Sequence, residues 1–191
     1  MYTLSDIIDD LSKNMSEKRF IHTLGVADTA EKMAIYYNID IEKALYAATL
    51  HDCSKIKNMS ADDMLELSSR SLFENKFCSI DAGEQLLHSA ASEVIAREKY
   101  GIEDIDILSA IRWHTTGKRN MSKLDMLIYS ADMIEQSRTY DGVERLRELA
   151  FSGLEKLTFE CSKQTIAFLN KQNKDISAET LELYDELKEF E

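Results

Sequence analysis

Six side chains in this sequence carry chemistry that an ordinary helical core does not need: His22, His51, Asp52, His88, His114 and Asp132. His51 and Asp52 stand together in "TLHDCSK", at the end of an apolar stripe formed by Ile41, Ala44, Leu45 and Ala48. A carboxylate at the end of a core-facing stripe is costly to bury without a partner. The other three histidines fall on further amphipathic stretches. His22 shares a face with Val26, Thr29 and Met33, His88 with Ala91 and Ile95, and His114 with Ile107 and Ile111. Asp132 follows Ile128 by four residues, among apolar neighbours. Any one of these alone is more often a hydrogen-bonded core histidine, a helix cap or a member of an ion pair. Four imidazoles and two carboxylates facing one interior are a different matter. They are difficult to pack dry, and a divalent metal is the partner that imidazole nitrogens and carboxylate oxygens share.

The elements that must position these residues read as helices. The chain has no proline and only six glycines, strand-like alternation is scarce, and apolar residues recur at helical spacing. Helices are predicted at about 4–14, 17–37, 40–52, 60–70, 81–100, 104–115, 122–135, 142–151, 154–172 and 178–190. Asp40, Ser60 and Ser122 supply start signals. The segment 68–81 is the least regular and is expected to form a loop. The fold class is therefore all-α, a bundle in which inward residues of facing helices build a site. One domain is expected over 1–191, with a core at about 17–140 and a C-terminal helical extension at about 141–191.

Composition narrows the partners. The net charge of −12 argues against a nucleic-acid polymer. No apolar run approaches the roughly 20 residues of a membrane span, and the acidic N-terminus lacks a basic signal-peptide start. A cytoplasmic location is expected. Cys53, Cys78 and Cys161 are too few and too scattered for a disulfide framework or a thiolate zinc site. Asp28 and Asp125 read as ordinary polar-face residues, Tyr36 and Tyr37 as core, and Trp113 as core rather than a base-stacking platform. Gly117 reads as a helix terminator.

The order of these residues resembles the HD-domain metal-dependent phosphohydrolases, and within them the bacterial YqeK-like branch. "RFIHTLGV", "ATLHDCSK", "LLHSAAS", "AIRWHTTGKRNMS", "IYSADMIEQSR" and "GVERLRELA" carry the likeness over about 19–151, and "WHTTG" followed by "SADMIE" is its most specific part. The resemblance implies an HD helical bundle and a symmetrical bis(5′-nucleosyl)-tetraphosphatase, splitting diadenosine tetraphosphate into two ADP. It implies two divalent metal ions, iron first, with Mn, Mg, Co or Zn as the other candidates. His22, His51, Asp52 and Asp132 would hold one ion and His88 and His114 the second, with Asp52 bridging. ADP or GDP would be a product-like ligand, and a homodimer is allowed. The sequence departs from the common pattern at "KRN", which lacks a proline, at "QS" in place of "PG", and at "SAETLE", which lacks a His and an Arg.

With all four histidines as ligands, proton transfer falls to bound water, the aspartates or a lysine. Asp52 and Lys55 are the catalytic candidates. Lys55 lies one helical turn beyond Asp52 and suits the scissile phosphate or the departing oxygen. Arg19, one turn before His22, and Arg138, six residues after Asp132, suit further phosphates. Thr115 and Thr116 offer hydroxyls at a helix end. Two other readings stand beside this one: an HD phosphohydrolase acting on a mononucleotide, deoxynucleotide or cyclic nucleotide, and a nucleotide-binding sensor with a structural metal.

Overall fold

In the computed structural model of the chain, residues 2–73 and 84–191 are described, with Glu84 and Gln85 described in the backbone alone. Cys78, most of the irregular segment 68–81 and the predicted start of the fifth helix lie outside the described residues. Ten α-helices and no strand occur among those described. They are α1 Leu4–Asn14, α2 Glu17–Tyr37, α3 Ile41–Leu50, α4 Ala61–Ser68 and α5 Glu84–Glu98, then α6 Ile105–Trp113, α7 Lys123–Ile134, α8 Val143–Leu149, α9 Leu154–Lys171 and α10 Ala178–Leu187. A short 3-10 turn, Lys188–Phe190, ends the chain. The all-α expectation holds; among the described residues α1 and α2 end where predicted, and the other helix ends lie within three residues of the predicted ones.

Local chemistry explains where the helices start. Thr3 with Asp6, Ser60 with Asp63 and Ser122 with Asp125 form reciprocal capping boxes. Each satisfies two backbone donors that a helix start leaves open. Ser16, Asp40, Asp104 and Ser177 cap α2, α3, α6 and α10 from their side chains. α2 stops at Asn38, which takes the left-handed conformation at φ 52°.

α2, α3 and α7 form the centre, with α6 against α3 and α7, α5 against α6, and α9 against α7. Ala44, Ala47 and Ala48 line α3 with small side chains that let α2 and α6 approach. One continuous set of buried apolar residues runs from Ile7 and Leu11 on α1, through Val26, Met33, Leu127 and Ile128, to Phe159 on α9 and Leu183 on α10. The stretch 141–191 therefore contributes to the same core. A smaller group, Met64, Leu87 and Ala91, sits between α4 and α5.

Three sequence readings need correction. Asp125 is buried, not a polar-face residue. It is the third residue of α7, accepts from the Ser122 backbone at 2.9 Å, and lies 3.4 Å from Lys118. Tyr36 is 58% exposed rather than in the core, where it packs edge-on against Tyr37 and Phe151. α3 ends at Leu50, short of the predicted 52, because the Cys53 N–H bonds back three residues to Leu50 O. His51 and Asp52 thus stand on a turn just beyond the helix.

Candidate metal centre

His22 comes from α2, His51 and Asp52 from the turn after α3, His88 from α5, His114 from the end of α6 and Asp132 from the last turn of α7. All four histidines and Asp52 are buried, and the Asp132 side chain keeps 17% exposure. They form two adjacent groups. In the first, His22 Nε2 lies 3.3 Å from His51 Nε2 and 3.0 Å from Asp132 Oδ1. Asp52 Oδ2 completes it, 3.5 Å from His51 Nε2 and 3.9 Å from His22 Nε2. In the second, His88 Nε2 and His114 Nε2 are 3.0 Å apart. Asp52 Oδ1 lies 3.4 Å from the former and 3.6 Å from the latter. Asp52 therefore turns one carboxylate oxygen to each group.

The outer nitrogens define which way the lone pairs point. His51 Nδ1–H donates to Ala48 O at 2.6 Å, and His114 Nδ1–H to Ile111 O at 2.7 Å. A carbonyl oxygen only accepts, so Nδ1 is the donor and Nε2 carries the lone pair of the neutral ring. His22 Nδ1 faces Glu135 Oε1 at 2.9 Å in the same sense. Electron-rich atoms then converge from several sides, an arrangement that a cation among them would stabilise. Two ligands held about 2.1 Å from one ion at tetrahedral or octahedral angles lie about 3.0–3.4 Å apart, in line with the Nε2 pairs here. Asp52 Oδ1 is buried and accepts no well-aligned hydrogen bond, although Lys55 Nζ stands 3.0 Å away. The donor set fits a divalent metal at each group.

Electrostatics keep the carboxylates ionised. Burial pushes Asp52 up, but His51 and Lys55 outweigh it and hold the carboxyl well below the usual range. Asp132 is likewise held down against burial, by Arg138 and His22. Burial lowers His114, and Asp52 only partly offsets it.

Three half-exposed cations ring the cluster. Arg19 contacts Asp52 Oδ2 at 2.5 Å, Lys55 contacts Asp52 Oδ1, and Arg138 contacts Asp132 Oδ1. Thr115 Oγ1 lies 3.0 Å from His88 Nε2 and 3.1 Å from His114 Nε2. Thr116 does not join them. Its hydroxyl is buried and donates to Gly117 O, and its carbonyl accepts from Thr180. Trp113 is buried, with the Arg112 guanidinium 4.1 Å from its ring centre. Glu135 is the residue that the sequence reading missed. Its signal is its position, three residues after Asp132 at the same helix end.

An all-α bundle that gathers histidines and aspartates from three helices and the turns after two others, in groups that could hold a metal, has the architecture of the HD class. Residues 19–187 match the family model of the HD domain, and the chain belongs to that family. It is similar to the symmetrical bis(5′-nucleosyl)-tetraphosphatase of Halalkalibacterium halodurans, 38% identical over 177 residues and 91% of each chain. The protein of the same name from Bacillus subtilis is 33% identical over 175 residues, 92% of each. A crystal structure from Clostridium acetobutylicum, described as a "predicted HD superfamily hydrolase involved in NAD metabolism", covers 100% of both chains at 34% identity with a TM-score of 0.87. Among the described residues no helix is long and apolar enough to cross a membrane.

Proposed function

We propose that this protein is a hydrolase that cleaves diadenosine tetraphosphate and related dinucleoside polyphosphates symmetrically, giving two ADP from the former. The observation that carries the hydrolytic centre is the division of the Asp52 carboxylate between two pairs of imidazoles. The substrate reading rests on relatives that match over about nine-tenths of both chains.

His22, His51, Asp52 and Asp132 would hold one divalent ion, and His88, His114 and Asp52 a second, with iron the first candidate. Ions bound there supply Lewis-acid stabilisation of phosphate charge and a water acidic enough to attack at neutral pH. The protein's own cations do the rest. Lys55, Arg19 and Arg138 pair with the cluster carboxylates from partly exposed positions, and would offset the repulsion between a chain of net charge −12 and a polyphosphate. In the reaction a water oxygen bonds to one of the two central phosphorus atoms and the bond to the central bridging oxygen breaks. The bridging oxygen leaves on the second nucleotide. Lys55 would neutralise that oxygen, and the guanidinium groups would hold flanking phosphates in line. Thr115 offers a hydroxyl beside the His88 and His114 nitrogens.

The test is anaerobic purification with metal analysis, followed by a nucleotide panel. Diadenosine tetraphosphate is expected to yield only ADP. AMP with ATP, no turnover, or faster hydrolysis of a mononucleotide, a cyclic nucleotide or NAD would replace this reading.

A further inference from the structure

We infer that Glu135 is a positioning residue for the candidate metal centre: its carboxylate locks His22 in the tautomer and orientation that turn Nε2 toward Asp132 and His51. The inference deepens the reading above and rests on the His22 group holding a metal.

Four observations converge on it. Glu135 is 1% exposed, so its carboxylate is held by the protein and not by bulk water. Oε1 meets His22 Nδ1 at 2.9 Å and also accepts from Ser137 Oγ at 2.6 Å. Oε2 accepts from the Ser137 N–H at 2.6 Å. Both oxygens are thus occupied by donors, and the group has no freedom to rotate away from the imidazole. Its main chain is fixed as well, because Arg147 donates to the carbonyls of Ile134, Glu135 and Arg138 at 2.7–2.8 Å.

The fourth observation is on the facing helix. Gly25 lies one turn after His22, inside α2, where glycine costs a helix about 1 kcal/mol relative to alanine. A Cβ there would come within 2.5 Å of Glu135 Oε2. The glycine leaves the space into which the carboxylate fits. One end of α7 therefore contributes twice: Asp132 faces the cluster directly, and Glu135 acts through His22. Carboxylates in this outer position fix ring orientation and raise ligand basicity.

The test is titration of the metal-free full-length protein with Co2+, following the absorption of the bound ion, with the thermal midpoint of each metal-free variant recorded alongside. E135Q puts an amide where the ring and Ser137 both donate, so one donor is left facing another. E135Q is expected to weaken one of the two binding steps by about 10–100-fold and change its absorption, leaving the His88/His114 step in place. G25A keeps the carboxylate but displaces it, and is expected to shift the same step in the same direction. E160Q, which disturbs a buried carboxylate paired with Arg145 far along the chain, serves as the stability control and should move neither step. Unchanged Co2+ binding in both E135Q and G25A would overturn the inference. So would equal weakening of both steps in proportion to a fall in thermal midpoint. Absence of Co2+ binding by the unaltered protein would instead overturn the metal reading itself. If E135Q does not fold, G25A carries the test alone.

Discussion

Asp52 has one oxygen for each pair of imidazoles, and no other side chain in the cluster is so shared. D52A is expected to remove metal uptake at both groups and abolish turnover, read by metal analysis and by release of ADP. Retained turnover would end the assignment. Lys55 makes a different demand. It leans on Asp52 Oδ1 but offers no lone pair to a metal while protonated. If Lys55 has the proposed role at the departing oxygen, K55A is expected to lower kcat by about 10²-fold with metal content unchanged. A parallel loss of metal would make Lys55 structural instead. The residue types at this cluster were legible in the sequence, since imidazole and carboxylate on apolar stripes stand out. Glu135 was not, because its meaning depends on His22 and Gly25, more than a hundred residues away and on another helix.

At the scale of elements, two small devices hold helices where the cluster needs them. Asp10 on α1 accepts from Lys99 and Tyr100, both at 2.6 Å, and so ties α1 to the end of α5. Partial burial opposes the charge, but these donors hold the Asp10 carboxyl below its ordinary value. A lowered carboxyl contributes stability that is present above the unfolded value, about 3.9, and is lost as pH falls through the folded one. D10N should therefore cost about 0.5–1 kcal/mol at pH 7, discounted for the exposure of the pair. Denaturant melts should show the gap from the unaltered protein closing below about pH 4. Gly117 ends the segment that carries His114, at φ +65°, and a Cβ there would meet Leu183 Cδ2 on α10 at 2.3 Å. G117A combines a left-handed backbone with that clash, and is expected to cost about 1–3 kcal/mol in a thermal melt. Helix positions were readable because the 3.6-residue period and the Ser, Thr and Asp caps are local signals. The burial of Asp125 was not, because its partner Lys118 reaches it from the preceding loop.

At the scale of the whole molecule, a bound metal would be coupled to the fold. Candidate ligands from three helices and the turns after two others meet at one place, and an ion that binds the folded chain stabilises it by mass action. At about 100 times its dissociation constant, one ion adds about 2.7 kcal/mol. For a chain of this size that is about 5–10 °C. Chelation should lower the thermal midpoint by that order, and restoring the metal should recover it. An unchanged midpoint would mean that the cluster forms without a bound ion.

The sequence by itself determined that the chain is helical, which faces are apolar, and that ligand-type side chains punctuate those faces. These are properties of short windows, set by periodicity and capping within a few residues. Only the tertiary structure decided how the imidazoles divide into two groups and which nitrogen of each ring looks inward. It also decided that Asp52 spans the groups and that Gly25 makes room for Glu135. Those facts depend on how helices far apart in the chain pack against one another, and a helical period holds no record of which distant face will be its neighbour.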